Sequence, residues 1–143
     1  MKLEKIYKNA KKHLAKEWGN LEFDYELESD SVDISGSFTL TKCGVGLNVL
    51  QEMCFCDTGL VMFDVTFDKL DATLENLMLV NKLNSATPFF KAYITDKGYL
   101  RLSRYVEIFD ESEVASCLDS FFSGILANSL DEDMSDIIPR LHE

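Results

Sequence analysis

The stretch VGLNVLQEMCF (residues 45–55), the turn residues Asp57-Thr58-Gly59 and the run LVMFDVTF (residues 60–67) decide the fold. In an extended chain, successive side chains point to opposite faces. Val45, Leu47, Val49, Met53 and Phe55 therefore share one side of the first run. Val61, Phe63, Val65 and Phe67 share one side of the second. The gap between the runs is too short for the crossover that parallel strands need, so the two form an antiparallel hairpin.

The same period of two extends toward the N-terminus. Leu21, Phe23, Tyr25 and Leu27 alternate with Glu22, Asp24, Glu26 and Glu28, and Val32, Ile34, Phe38 and Leu40 follow beyond the turn cluster 29–31. Downstream, Phe90, Ala92 and Ile94 share a face, Asp96-Lys97-Gly98 turns the chain, and Leu100, Leu102 and Val106 line another strand. Three segments have helical spacing instead. Leu3, Ile6, Tyr7, Ala10 and Leu14 make one face over 2–17. Leu70, Leu74, Leu77, Met78 and Val80 or Leu83 make another over about 70–85, capped by Asp68 or Asp71. Val114, Cys117, Leu118, Phe121, Phe122, Ile125 and Leu126 make the third over 111–128, behind Asp110 or Ser112 as N-cap.

The expected fold is thus α+β, in the order α-β-β-β(-β)-α-β-β-α, with a mostly antiparallel five- or six-stranded sheet and helices on one face. A single domain, 1–143, with an acidic tail over 129–143, suits the chain length. Phe63, Val65, Leu102, Leu118, Phe121 and Ile125 are expected in the core.

Residues 79–84 (Leu-Val-Asn-Lys-Leu-Asn), 89–94 (Phe-Phe-Lys-Ala-Tyr-Ile), the turn 96–98, the run 99–103 and the helix from Glu111 to about Asn128 together resemble the YbjN family and the wider fold of type III secretion chaperones. The resemblance implies a small, often dimeric domain that handles polypeptides or acts in regulation, and it carries over no catalytic residue. It also suggests a bacterial source.

The chain carries a net charge of −11. Residues 1–17 hold six Lys and two Glu, whereas the other 126 residues hold eight basic and 23 acidic side chains. A body this acidic repels phosphate backbones, so nucleic acid is not an expected partner. No apolar run approaches the ~18 residues of a membrane span. The lysine-rich start lacks a signal-peptide core, which points to the cytoplasm and to free thiols at Cys43, Cys54, Cys56 and Cys117.

Catalytic patterns are missing. His13 and His142 are expected on the surface, without a nucleophile motif. Cys54 and Cys56 project from the same side of a strand, but C-x-C without a second pair is a weak zinc signal, and inert thiols are expected. Glu22, Asp24, Glu26 and Glu28 read as a solvated strand face. Asn81 and Asn84 suit a helix cap or a bridge to the next strand. Gly44-Val45-Gly46 is a turn, not a phosphate loop. No metal or other cofactor is therefore expected.

What the patterning leaves over is an apolar surface on the far side of the third and fourth strands: Leu50, Cys54, Cys56, Leu60 and Met62. Leu50, Cys54, Leu60 and Met62 are the candidate partner surface, with a homodimer expected there. The function expected is non-enzymatic protein binding, chaperone-like or regulatory. A ligand-sensing domain is the alternative, ahead of a small enzyme.

Overall fold

The computed structural model describes residues 1–143. Helix α1 (Leu3–Glu17) precedes strands β1 (Asp24–Leu27), β2 (Ser31–Lys42), β3 (Val45–Cys56) and β4 (Leu60–Lys69). Helix α2 (Leu74–Ala86), strands β5 (Lys91–Ile94) and β6 (Tyr99–Glu107), and helices α3 (Val114–Leu126) and α4 (Asn128–Met134) follow. The six strands form one antiparallel sheet in the order β1-β2-β3-β4-β6-β5. The fold is α+β, as the patterning predicts.

The inner face of the sheet is the apolar one. Val32, Ile34, Met53, Phe55, Val61, Phe63, Val65 and Leu102 are buried there, together with Leu118, Phe121 and Ile125 of α3. The ring of Phe63 stacks on Phe121 with centroids 4.4 Å apart. Trp18, at the end of α1, stacks on Phe122 at 4.6 Å. A capping box opens the helical turn that leads into α3: Asp110 accepts from the Ser112 N–H at 3.0 Å, and Glu113 accepts from the Asp110 N–H at 2.8 Å.

Two turns show why the hairpins close where they do. Cys43 and Gly44 both have positive φ, 52° and 74°, which is the twist a two-residue hairpin loop requires. Gly59 sits at φ 94°, and a Cβ there would stand 2.3 Å from the Ile108 carbonyl oxygen.

The structure corrects several sequence expectations. The first strand is only Asp24–Leu27, and Leu27 is exposed. Upstream, Phe23 lies over Gly36 and meets Phe122 edge-on at 6.0 Å, so this stretch crosses the sheet instead of pairing with it. Helix α2 starts later and is rotated from the expected register. Its N-cap is Thr73, whose hydroxyl accepts from the Asn76 N–H at 3.2 Å. Asn76 is buried, donates to the Asp71 carbonyl at 2.9 Å and accepts from Arg140 at 3.1 Å. That polar anchor turns Asn76, Val80 and Leu83 inward and leaves Leu74, Leu77 and Met78 exposed. Leu126 is likewise exposed.

The tail is more than a charged end. Leu130, Met134, Ile137 and Ile138 are buried. Asp131 reaches Lys42, whose side chain is 1% exposed, at 2.6 Å. The Lys42 ammonium also donates to the Ala127 carbonyl at 3.1 Å, and the Cys43 N–H donates to the second Asp131 oxygen at 3.2 Å. The hydrogen bond from Lys42 holds the Asp131 carboxyl below its ordinary pKa.

Phe121→Ala should lower the unfolding free energy by ~3–5 kcal/mol in chemical denaturation. A loss below ~1 kcal/mol would contradict the stack on Phe63. Asp131→Ala strands a buried ammonium and should cost ~3–5 kcal/mol, whereas Lys42→Met together with Asp131→Ala should recover most of it. Because the folded-state pKa of Asp131 is depressed, its stabilisation is present above the unfolded value of about 3.9 and is lost as pH falls through the folded value. Acid titration of Asp131→Asn should therefore show a smaller loss of stability below pH ~4 than the parent chain.

Candidate partner-binding face

The outer face of the sheet carries no helix. Cross-strand register arranges its side chains in rows. One row runs Glu26, Asp33, Cys54, Met62, Tyr105, and the next Asp24, Ser35, Glu52, Asp64, Ser103, Lys91. A third runs Ser37, Leu50, Thr66, Arg101, Tyr93. Leu60 faces Glu107 at the end of β4.

The four candidate residues therefore do not form one patch. Cys54 and Met62 are direct neighbours, and Leu60 lies two positions along from Met62. Leu50 stands two rows away, about 13 Å along β3. Between them lies a polar seam. Ser103 is buried, donates a short hydrogen bond to Asp64 and has the Tyr93 hydroxyl 3.2 Å away. Leu50 and Leu60 are each 41% exposed, and Tyr105, which the sequence reading missed, is 59% exposed.

Beside Leu50 the face opens into a groove of about 920 Å³, lined among others by Asn48, Leu50, Thr66, Tyr93, Tyr99 and Arg101. It forms where β3–β4 pairing ends at Leu50–Thr66 and an irregularity between Thr66 and Lys69 displaces β4. Arg101 is held at its wall by a 3.0 Å hydrogen bond from Nε to the Thr66 hydroxyl. No motif announces this groove, because it depends on where strand pairing stops.

Charge is divided across the face. Asp24, Glu26, Glu28 and Asp33 crowd the β1 margin, whereas Lys91, Lys97 and Arg101 lie toward the β5–β6 margin. The crowding raises the Glu28 pKa, through Glu26 first and Asp33 next. Burial, followed by the Asp33 carboxylate, pushes the Cys54 thiol up to about 12.

The remaining candidates fall elsewhere. His13 is half-buried, not a free surface side chain: its Nε2 lies 2.7 Å from Asp119, which also accepts from the Trp18 indole at 3.4 Å. His142 is exposed and pairs with Asp71 at 3.0 Å, which raises its pKa. Asn84 bridges to the next strand, accepting from the Ala92 N–H at 2.6 Å and donating to its carbonyl at 2.9 Å. Cys117 is buried, and that burial raises its thiol to about 11. No helix is long and apolar enough to cross a membrane.

No protein-family model matches the chain, and no curated protein matches it. Among solved structures, the chain is similar to a chain of the heterodimeric ExoU–SpcU complex from the type III secretion system of Pseudomonas aeruginosa. The TM-score is 0.42 and the identity 21%, over 92% of this chain and 96% of that chain.

The raised thiol pKa leaves little thiolate at Cys54 near neutrality, and thiolate is the reactive species. At pH 8 in the native protein, exposed Cys43 should be alkylated well before Cys54 or Cys117, and Asp33→Asn should speed labelling at Cys54. Peptide mass spectrometry against time reads the order, and Cys54 reacting first would contradict it.

Proposed function

We propose that this protein is a non-enzymatic polypeptide-binding domain, chaperone-like or regulatory, that works through the uncovered outer face of its sheet. The observation supporting this reading is that all four helices lie on the inner face, which leaves Leu50, Leu60, Met62 and Tyr105 without an intramolecular cover. An exposed apolar surface bordered by charge is the ordinary sign of a protein contact.

The first occupant proposed is a second copy of the chain. A homodimer is isologous, so each surface meets its own image across a two-fold axis. With that axis along the strands, the acidic β1 margin of one copy lies over the basic β5–β6 margin of the other. With the axis across the strands, acid would face acid. The charge layout thus selects the first arrangement, and complementarity of this kind sets orientation.

Helix α2 favours a second reading of where copies pair. Leu74, Leu77 and Met78 are 76%, 43% and 62% exposed, and Asn81 and Ser85 continue the ridge without charge. Molecules of net charge −11 repel one another least across a neutral surface. In that arrangement the outer face stays free for a different polypeptide. The groove beside Leu50 favours the ligand-sensing alternative, since small-molecule sites commonly have volumes of ~300–1,000 Å³.

Light scattering at micromolar concentration tests the first reading. The parent chain should have twice the monomer mass, and Leu50→Asp with Met62→Asp should reduce it to the monomer. Dissociation by Leu77→Asp with Met78→Asp alone would move the pairing to α2, and a monomeric parent chain would remove the homodimer.

A further inference from the structure

The groove beside Leu50 has a charge balance opposite to that of the chain. Acidic side chains outnumber basic ones by 25 to 14 in the sequence. Along the groove the basic residues are Lys97 and Arg101, and Asp96 is the acidic one. Neither Lys97 nor Arg101 has a carboxylate at ion-pair distance. Arg101 is tied by its Nε to the Thr66 hydroxyl, and the Tyr93 phenol stands beside it. Asp64 and Glu52 are near enough to act on its charge, but Asp64 is engaged by the Ser103 hydroxyl and Glu52 is exposed to solvent. The guanidinium thus borders the groove without a carboxylate partner.

A second observation concerns the backbone. The two-residue turn Cys43-Gly44 makes Lys42 and Val45 the closing pair of the β2–β3 hairpin. Backbone groups alternate along a strand, so those of Val45, Leu47 and Val49 point toward β2, and those of Gly46, Asn48 and Leu50 point the other way. The far end of β3 has the same parity, since the Cys56 carbonyl accepts from the Gly59 N–H at 3.0 Å. Leu50 meets Thr66 in the last pair between β3 and β4. Asn48, the next in line, also borders the groove, and its N–H and carbonyl have no strand opposite them.

We propose that the groove binds a small aromatic carboxylate, with the acid group on Arg101, the ring body across Leu50, and a polar atom at the far end against the open Asn48 backbone. Leu50 and Arg101 share one cross-strand row and stand two strands apart, ~10 Å at the usual strand spacing. A fused two-ring body with one acid group spans that distance. The planar guanidinium suits a carboxylate, which it binds through paired hydrogen bonds. A single negative charge also suits the site better than a dianion, because Asp64 and Glu52 lie one row away. Lys97 adds attraction from the exposed turn between β5 and β6.

The inference rests on the ligand-sensing reading of this groove and is independent of polypeptide binding elsewhere on the face. The test is an amide NMR titration of the isotope-labelled full chain with naphthalene-2-carboxylate and with naphthalene-2-carboxamide, which has the same shape without the charge. The carboxylate should shift the amides of Asn48, Leu50, Thr66 and Arg101 saturably, and bind ~10-fold or more tightly than the carboxamide. Arg101→Gln should remove that preference by weakening the carboxylate alone, and Arg101→Lys should keep part of it. Met62→Asp, on the same face outside the groove, should change neither. If Arg101→Gln misfolds, Lys97→Gln on the exposed turn should still weaken the carboxylate alone, and equal affinities there and in the parent would overturn the proposal. Equal binding of carboxylate and carboxamide in the parent would overturn the anion assignment and leave the ligand-sensing reading standing. Tighter binding of 2-naphthyl phosphate than of the carboxylate would overturn it in favour of a phosphate. No saturable shift with any of the three would overturn the proposal and withdraw the groove's support from the ligand-sensing reading.

Discussion

The stack of Phe63 on Phe121 is the contact on which the rest of the molecule depends. Phe63 occupies the middle of β4, with β3 on one side and β6 on the other, so it marks the centre of the sheet. Phe121 occupies the middle of the closing helix. Phe90 lies 6.2 Å from Phe63, and Phe122 carries both Trp18 and Phe23. A single aromatic cluster thus joins the end of α1, the crossing before β1, the central strand, the entry to β5 and α3. Large aromatic side chains dominate core energetics because each buries ~150–250 Å². With that cluster on one side, every helix has its apolar stripe drawn to the same face. The bare outer face is the complement of this packing.

Much of this arrangement was legible because strands report their faces directly. Alternation places Phe63 and Val65 inside and Leu50, Cys54, Leu60 and Met62 outside, whatever the rest of the chain does. Helix α3 is equally plain, since its apolar residues form one stripe. Helix α2 is not. Leu74, Leu77, Met78, Leu79, Val80 and Leu83 surround most of its circumference, so spacing alone does not select a buried side. The choice is made by Asn76 and its hydrogen bond to Arg140, 64 residues away. Lys42 is similar: it reads as a turn lysine until Asp131, 89 residues away, is seen to pair with it. The tail shows a different failure. Leu130, Met134, Ile137 and Ile138 keep a helical spacing, but the acidic residues among them suggested a solvated end.

The outer face shows where alternation stops being enough. It identifies which side chains face outward but not which of them touch. Register decides that Cys54 adjoins Asp33 and Met62, and that Asp64 and Ser103 separate Leu50 from the others. The acidic ladder therefore has a meaning in the folded state that it lacks in the sequence. Glu26 and Glu28 look like solvated charges along one strand, yet folding brings them against Asp33, beside a pair of thiols.

The groove beside Leu50 opens at the level where the C-terminus is held against β4. Strand β4 pairs with β3 only as far as Thr66, yet its polar backbone continues to Lys69. An unpaired backbone group shielded from water is costly, so those groups need partners. On one side Lys69 pairs with Tyr99 of β6. On the other, the Lys69 N–H donates to the His142 carbonyl at 2.8 Å and the His142 N–H returns a bond of 2.9 Å. The next-to-last residue thus occupies the place beside β4 that β3 has left. Asp131 meanwhile holds the tip of the β2–β3 hairpin through Lys42 and the Cys43 N–H. The tail contacts both arms of the sheet at once, one by backbone pairing and one by charge, at the level where β3 and β4 no longer pair. The tail itself does not line the groove, whose walls come from β2, β3, β4, β5 and β6 and the turn between the last two.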